Sequence, residues 1–112
     1  MNRPGVGARF DSSTIREASE LDDPSYNTAD AFLTQDGLTI YFTHAMDELG
    51  DIYVAHRAST DAQFDRPQLL RGDNFNTAAD ERDPWVNRDE TVLYFVSDRD
   101  GSLKIYRASL QR

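Results

Sequence analysis

The sequence predicts an all-β fold, and three observations predict it. Short runs rich in aromatic and β-branched residues recur along the chain, in the alternating pattern of half-buried strands. Turn-forming residues separate these runs. The chain also aligns with itself at a spacing of 53 residues, so the same strand pattern occurs twice within its 112 residues.

The internal alignment is long and ungapped. It places residues 30–36 over 83–89, residues 40–44 over 93–97 and residues 52–55 over 105–108. Upstream, Phe10, Asp11 and Ile15 match Phe64, Asp65 and Leu69 after a shift of one residue. A register of this length indicates a duplication, in which each copy carries short strands separated by turns.

The strands are predicted near residues 31–34, 39–44, 51–57, 67–71, 84–87, 92–97 and 103–109, with no α-helix beyond about one turn. In the first copy, Asp36-Gly37 supplies the positive φ that a tight turn between the first two strands needs. Glu90 takes the place of that glycine in the second copy, which predicts a turn of another type there.

Four short antiparallel strands in a unit of about 40–50 residues are typical of a β-propeller blade. The sequence therefore predicts two four-stranded blades, which are part of a larger ring or of a ring completed by oligomerisation. The predicted organisation is a flexible N-terminal segment over 1–9, a strand-exchange segment over 10–29, a first blade over 30–71 and a second blade over 72–112.

The motif DPWVNRDETVLYFVSDRDG, followed by IYRA, lies between residues 83 and 108 and resembles the TolB-type, WD-like propeller repeat. The resemblance covers residues 30–55 and 83–108. It implies blades that build rings of about six for protein–protein contact, often in the bacterial cell envelope or periplasm. This chain departs from the family pattern at Glu90 and in having two copies only.

The composition of the chain limits the classes of partner that it is expected to bind. Twenty acidic residues against twelve basic ones give a net charge of −8, which repels phosphate backbones and anionic lipids. No apolar run approaches the length of a membrane span or a signal sequence. The absence of cysteine excludes disulfides and thiol chemistry. We therefore expect no nucleic-acid partner and no membrane insertion.

The residues that could bind a metal or act in catalysis are predicted to have structural roles. Asp98 and Asp100 occupy a predicted hairpin turn that lacks the further oxygen ligands of a calcium loop. His44 and His56 lie on different strands without a metal-ligand spacing. We expect Asp30 to hydrogen-bond His44, and Asp83 to hydrogen-bond Ser97, which would pin strand to turn in each copy.

No catalytic residue, cofactor or metal is predicted, so the chain is not expected to be an enzyme. The serines Ser12, Ser13, Ser59 and Ser109 have no nucleophile motif around them. The paired carboxylates Asp22-Asp23 and Asp80-Glu81 fall in predicted loops, where water solvates them.

The sequence favours a non-catalytic binding or assembly module that contacts a protein partner or itself. The predicted assembly is a homotrimer closed by exchange of residues 11–18, and a dimer is the lesser alternative. A second hypothesis is a small lectin-like binder with Trp85 or Tyr26 stacking on a sugar between blades. A third is a fragment of a larger propeller enzyme or envelope protein.

Overall fold

The computed structural model describes residues 9, 11–46, 49–71 and 75–109. Within these residues the fold is all-β, as predicted, with two 3-10 turns at Ser12–Thr14 and Ser19–Leu21. The strands are β1 (Asn27–Leu33), β2 (Thr39–Met46), β3 (Leu49–His56), β4 (Gln68–Leu69), β5 (Glu81–Val86), β6 (Val92–Ser97) and β7 (Lys104–Ser109).

The strands form two antiparallel sheets. The first sheet has four strands in the order β1-β2-β3-β4, and the second has three in the order β5-β6-β7. The expectation of four strands in each copy therefore holds for the first sheet, whereas the described part of the second sheet has three. The predicted flexible segment 1–9 lies outside the described residues except for Arg9.

Strand β1 begins at Asn27, four residues before the predicted start at residue 31. Asn27 and Thr28 are polar and exposed, Ala29 is small and exposed, and Asp30 is half-buried, so hydrophobic alternation does not mark these residues. They belong to the strand because Asn27 pairs with Ala45 and Thr28 pairs with His44 across the ladder to β2. The prediction for β6 matches the structure at both ends.

Each sheet carries a bulge in its first strand at the same place. The register shifts between Ala29 and Phe32 in β1, and between Arg82 and Trp85 in β5. Asp30 (φ 59°) and Asp83 (φ 54°) have left-handed backbones within these bulges. Aspartate tolerates this conformation better than most residues, because its short side chain bonds locally.

The turns between the first two strands of each sheet are alike, so the prediction of a different turn at Glu90 is wrong. Gly37 (φ 77°) donates its N–H to Thr34 O, and Glu90 (φ 57°) donates its N–H to Asn87 O, both at 2.9 Å. Asn87 supports the second turn, because its Oδ1 accepts from Thr91 N and Val92 N at 2.9 Å.

Alternate residues of a strand point to opposite faces of a sheet. We call the side of Phe42 in the first sheet, and of Phe95 in the second, the front face. The side of Tyr41 and of Tyr94 is the back face. The main core lies where the back of the first sheet packs on the front of the second, and contains Tyr41, Ile52, Phe75, Val86, Leu93 and Phe95.

A second, smaller core covers the front of the first sheet. Leu21, from the 3-10 turn before β1, packs there against Phe42 and Ala55. Ile40, Tyr53 and Phe64 border this cluster. The segment before β1 is therefore placed on the side of the first sheet that faces away from the second sheet.

Candidate functional site

The contact between the two sheets shows how their faces fit together. Ile52, on the back of the first sheet, is fully buried, as is Leu93 on the front of the second. Phe75, from the segment before β5, joins them and contacts Phe95 with ring centroids 4.9 Å apart. The front face of the second sheet thus packs against two things: the back face of the first sheet, and one apolar residue from the segment that precedes β5.

The rim of this contact depends on a close approach at Gly50. A Cβ atom there would lie 2.6 Å from Thr43 Cγ2 and 2.8 Å from Glu81 O, closer than real Cβ atoms come. Gly50 N donates to Asp80 Oδ1 at 2.8 Å across the contact. Only a glycine lets the two backbones approach this closely.

Asn76 ties the segment before β5 to the outer edge of β3. Its Oδ1 accepts from Ile52 N at 2.9 Å, and its Nδ2 donates to Ile52 O at 3.1 Å and to Leu70 O at 2.8 Å. The side-chain amide therefore bonds both backbone groups of Ile52 where β4 ends, and Ile52 O also accepts from Leu70 N at 3.0 Å. Nothing in the repeat pattern indicates this role, and the sequence analysis missed it.

The back face of the second sheet has no such cover. Ile105, which stands 53 residues after Ile52, is 76% exposed, although both residues lie on the back face of their third strand. Trp85 and Leu103 are also at least half exposed. Trp85 rests edge-on against Tyr94, with ring centroids 5.6 Å apart.

The front face of the first sheet is open in part: Leu21 covers Phe42 and Ala55, whereas the positions at Leu33 and Ile40 are less covered than their counterparts in the second sheet. Leu33 is 47% exposed, whereas Val86, the residue 53 positions later, is 3% exposed in the contact between the sheets. Ile40 is half-buried, whereas its counterpart Leu93 is fully buried. At these matched positions the apolar side chain that is exposed in one sheet is buried in the other, whereas Phe42 and Phe95 are buried in both.

The exposed large apolar side chains follow the same division. By their strand pairings, those of the first sheet lie on its front face: Leu33, Met46, Leu49 and Leu69. Trp85 and Ile105 lie on the back face of the second sheet. Apolar surface collected on two specific faces is typical of a protein-contact site.

The front faces of both sheets share a further feature, in which a side-chain nitrogen holds the segment before the first strand. His44 Nε2 lies 3.0 Å from Leu21 O. Arg99 Nη2 donates to Phe75 O at 2.8 Å in the second sheet. His44 also stacks on Tyr26 with ring centroids 5.4 Å apart.

The hydrogen bonds predicted from Asp30 to His44 and from Asp83 to Ser97 are wrong in their partners. His44 bonds to Leu21 O, and Ser97 Oγ donates to Glu81 Oε2 at 2.8 Å. The left-handed backbones in the bulges instead bring the Asp30 and Asp83 carboxyls together. Partial burial raises the pKa of Asp83, and the adjacent Asp30 carboxyl adds to the rise.

Glu81 is fully buried and holds several groups beside the contact. Its carboxylate accepts from Thr77 N and Thr77 Oγ1 at 2.7 Å, and from Ser97 Oγ. Arg99 Nη2 lies 3.6 Å from Glu81 Oε2. The sequence analysis placed Asp80-Glu81 in a solvated loop, whereas Glu81 begins β5 and is a structural anion.

The other residues singled out from the sequence have structural contacts. Asp98 Oδ1 accepts from Asp80 N at 2.9 Å, and Asp100 accepts a hydrogen bond from Tyr106. That bond to Asp100 raises the pKa of Tyr106. His56 Nδ1 lies 3.1 Å from Thr39 Oγ1. In the described ranges, no three histidine or carboxylate side chains are grouped to hold a metal ion.

An open cavity of about 400 Å³ lies on the front of the first sheet, beside His44 and Tyr53. The charged residues on its border are three carboxylates, Glu20, Asp22 and Asp23, and one guanidinium, Arg66. Burial raises the pKa of Tyr53, and Tyr26, Asp51 and Asp23 add to the rise. The side chains around the cavity therefore bring more negative than positive charge to the edge of the apolar front face.

Comparisons with family models, curated proteins and solved structures found no match to this chain. Across the part of the chain that the structure describes, no helix is long and apolar enough to cross a membrane.

Proposed function

We propose that this chain is a non-catalytic assembly module of the β-propeller type, whose copies associate head to tail. The back face of the second sheet of one copy packs on the front face of the first sheet of the next. The observation that carries the proposal is the reversed burial of matched residues: Ile52 is buried and Ile105 exposed, whereas Leu33 is exposed and Val86 buried.

The contact inside the chain is the pattern for the contact between copies. It joins a back face to a front face, so it is heterologous, and it leaves available the back face of the second sheet and the part of the front face of the first sheet that Leu21 does not cover. Repeating such a contact gives a closed ring or an open filament. A ring of three copies would contain six sheets, and we propose this homotrimer as the closed form.

Charge complements shape in this arrangement. Arg107 lies on the open back face, with its guanidinium 5.8 Å from the Tyr94 ring centroid. Val54, 53 residues earlier, packs against the core that contains Phe75. By correspondence, Arg107 would lie against the front-face cluster of the next copy that contains Leu21, and Leu21 is flanked by Glu20 and Asp22. Opposite charges there favour the head-to-tail orientation.

One part of the contact cannot be repeated between copies. Leu103 stands 53 residues after Gly50, and its side chain occupies the place where the close backbone approach requires a glycine. Strand β7 accordingly begins at Lys104, whereas β3 begins at Leu49. The proposed contact between copies therefore has a wider rim than the contact inside the chain.

Light scattering coupled to size exclusion tests the proposal. We expect the wild-type chain to elute as an assembly, with a three-chain mass for the closed ring. Ile105→Glu and Leu33→Glu should each give single chains, because each places a charge in one half of the contact. Ser59→Glu, in the exposed turn after β3, is the matched control and should leave the mass unchanged.

Circular dichroism and thermal melting of the variants show whether each one is folded. Since Ile105 and Leu33 are solvent-exposed in the single chain, both variants should fold. A wild-type chain that has a single-chain mass at every concentration would contradict the proposal. So would an assembly that is insensitive to both glutamate substitutions.

A further inference from the structure

The outer edge of β7 is open in the described part of the second sheet. Strand β6 pairs with one side of β7, and no described strand pairs with the other. In the first sheet, β4 covers the corresponding edge of β3, with Leu69 paired to Tyr53 and Gln68 to Val54. The equivalent pairing positions on β7 are Tyr106 and Arg107.

The segment before the first sheet corresponds to the segment that contains β4. Leu69 of β4 is followed six residues later by Phe75, which packs on the front of the second sheet, and then by β5. Ile15 is followed six residues later by Leu21, which packs on the front of the first sheet, and then by β1. The two segments thus have the same spacing and order of contacts.

No described part of the chain buries residues 11–18. All of them are exposed, and Ile15 is 75% exposed. Ile15 already has an extended backbone, with φ −61° and ψ 125°. Two backbone hydrogen bonds close the 3-10 turn before it, Thr14 N to Asp11 O and Ile15 N to Ser12 O, and the Asp11 carboxylate caps the turn by accepting from Ser13 N and Ser13 Oγ. Pairing with a strand edge would replace those bonds.

We infer that Thr14 and Ile15 of one copy form the fourth strand of the second sheet of the preceding copy. In this antiparallel pairing, Ile15 lies opposite Tyr106 and Thr14 lies opposite Arg107 of that copy. The inference rests on the proposed head-to-tail assembly and names the segment that joins its neighbours. It gives the open edge of β7 a specific partner, where an unpaired edge would otherwise invite unspecific pairing.

The position of Leu21 favours pairing of residues 14 and 15 with β7 of the preceding copy over pairing with β7 of the same chain. Leu21 packs on the front of the first sheet, whereas the second sheet of the same chain packs on the back. In the assembly, the second sheet of the preceding copy arrives on that front face and brings its β7 beside Leu21. Six residues span at most about 20 Å when they are extended, and the same number of residues leads from Ile15 to Leu21 as from Leu69 to Phe75.

Cysteine cross-linking between two different variants tests this pairing. The chain has no cysteine of its own, so each introduced thiol is unique. Residues directly opposite each other in an antiparallel pair have Cα atoms about 4.5–5.5 Å apart, which suits a disulfide. We expect a mixture of Ile15→Cys chains and Tyr106→Cys chains to form disulfide-linked dimers on oxidation, whereas neither variant alone forms them.

Two controls keep the result interpretable. The double variant Leu69→Cys/Tyr53→Cys places a disulfide at the matching pair inside the first sheet, and should keep a single-chain mass on a non-reducing gel. A mixture of Ile15→Cys and Tyr53→Cys chains should not cross-link, because β4 already covers Tyr53.

The outcomes separate the two proposals. If the chains associate through Ile105 but the mixture gives no disulfide-linked dimers, the strand pairing is wrong and the head-to-tail assembly stands. If the Ile15→Cys/Tyr106→Cys double variant closes within a single chain, the segment folds back and the inference is likewise overturned. If the wild-type chain does not associate at all, both proposals fail.

Discussion

The two sheets have matching backbones and opposite patterns of burial. Both carry a bulge with a left-handed aspartate in the first strand, and both close their first turn with a residue of positive φ. Yet Ile52 is fully buried while Ile105 is 76% exposed. Local sequence therefore determines the backbone shape of each sheet, whereas the packing of one sheet on the other determines which face of each sheet is covered.

The largest expected effect is a difference between the two isoleucines. Ile52→Ala should lower the free energy of unfolding by about 3–4 kcal/mol, because it removes buried methyl groups and leaves a cavity between the sheets. Ile105→Ala should change it by less than about 0.5 kcal/mol in the single chain, where the side chain is exposed. Urea unfolding at protein concentrations too low for association measures both, and equal losses would contradict the difference in packing.

Glu81 and Thr28 provide a second matched pair. Glu81→Ala should cost about 3 kcal/mol, because Ser97 and the Thr77 N–H lose their acceptor and Arg99 loses its buried counter-charge. Thr28→Ala, 53 residues earlier and exposed, should cost less than about 0.5 kcal/mol. The same urea titrations give both values, and a small effect at Glu81 would show that this buried network contributes little.

The turns offer a smaller, reciprocal test. Glu90→Gly should stabilise the chain by about 0.5–1 kcal/mol, because it relieves a left-handed backbone at a residue with a Cβ atom. Gly37→Ala should destabilise it by about 1 kcal/mol at the matching position. Opposite shifts in melting temperature are expected, and a loss of stability in both variants would show that the contacts of the Glu90 side chain outweigh the cost of its left-handed backbone.

The Asp30–Asp83 pair predicts a modest dependence on pH. Because the pKa of Asp83 is raised in the folded chain, the folded state binds more protons than the unfolded state between the two pKa values. Wild-type stability contributed by this group should rise as pH falls through that window. Asp83→Asn should therefore stabilise the chain at neutral pH, and this advantage should shrink as the solution is acidified.

Asp30→Asn serves as the companion variant, since it relieves the same repulsion from the other side. The gain in the double variant should be smaller than the sum of the two single gains, because both changes remove one shared interaction. Urea unfolding between neutral and mildly acidic pH measures this, and a pH-independent advantage of Asp83→Asn would refute the coupling.

Much of the fold could be predicted from the sequence, because strand periodicity and turn residues are local signals. The prediction for β6 was correct at both ends, whereas β1 was predicted too short because its first residues are polar. The turn at Glu90 was predicted wrongly, because a supporting side chain at Asn87 let a residue with a Cβ atom adopt positive φ.

The candidate site was harder to predict, because it depends on how the two sheets stack. Ile52 and Ile105 occupy matching places in the sequence, so no local pattern distinguishes the buried residue from the exposed one. The partners of His44 were likewise set by Leu21, which is distant in sequence and lies outside the aligned repeat.

Gly50 allows a close contact between the two sheets of one chain, whereas Leu103 would make the proposed contact between copies looser. Inside the chain, the backbones touch at Gly50 and its N–H is bonded to Asp80. If copies associate as proposed, we expect whole chains to separate on dilution before the two sheets of any one chain come apart. When two preparations with different labels are mixed under native conditions, their assemblies would then exchange whole, folded chains.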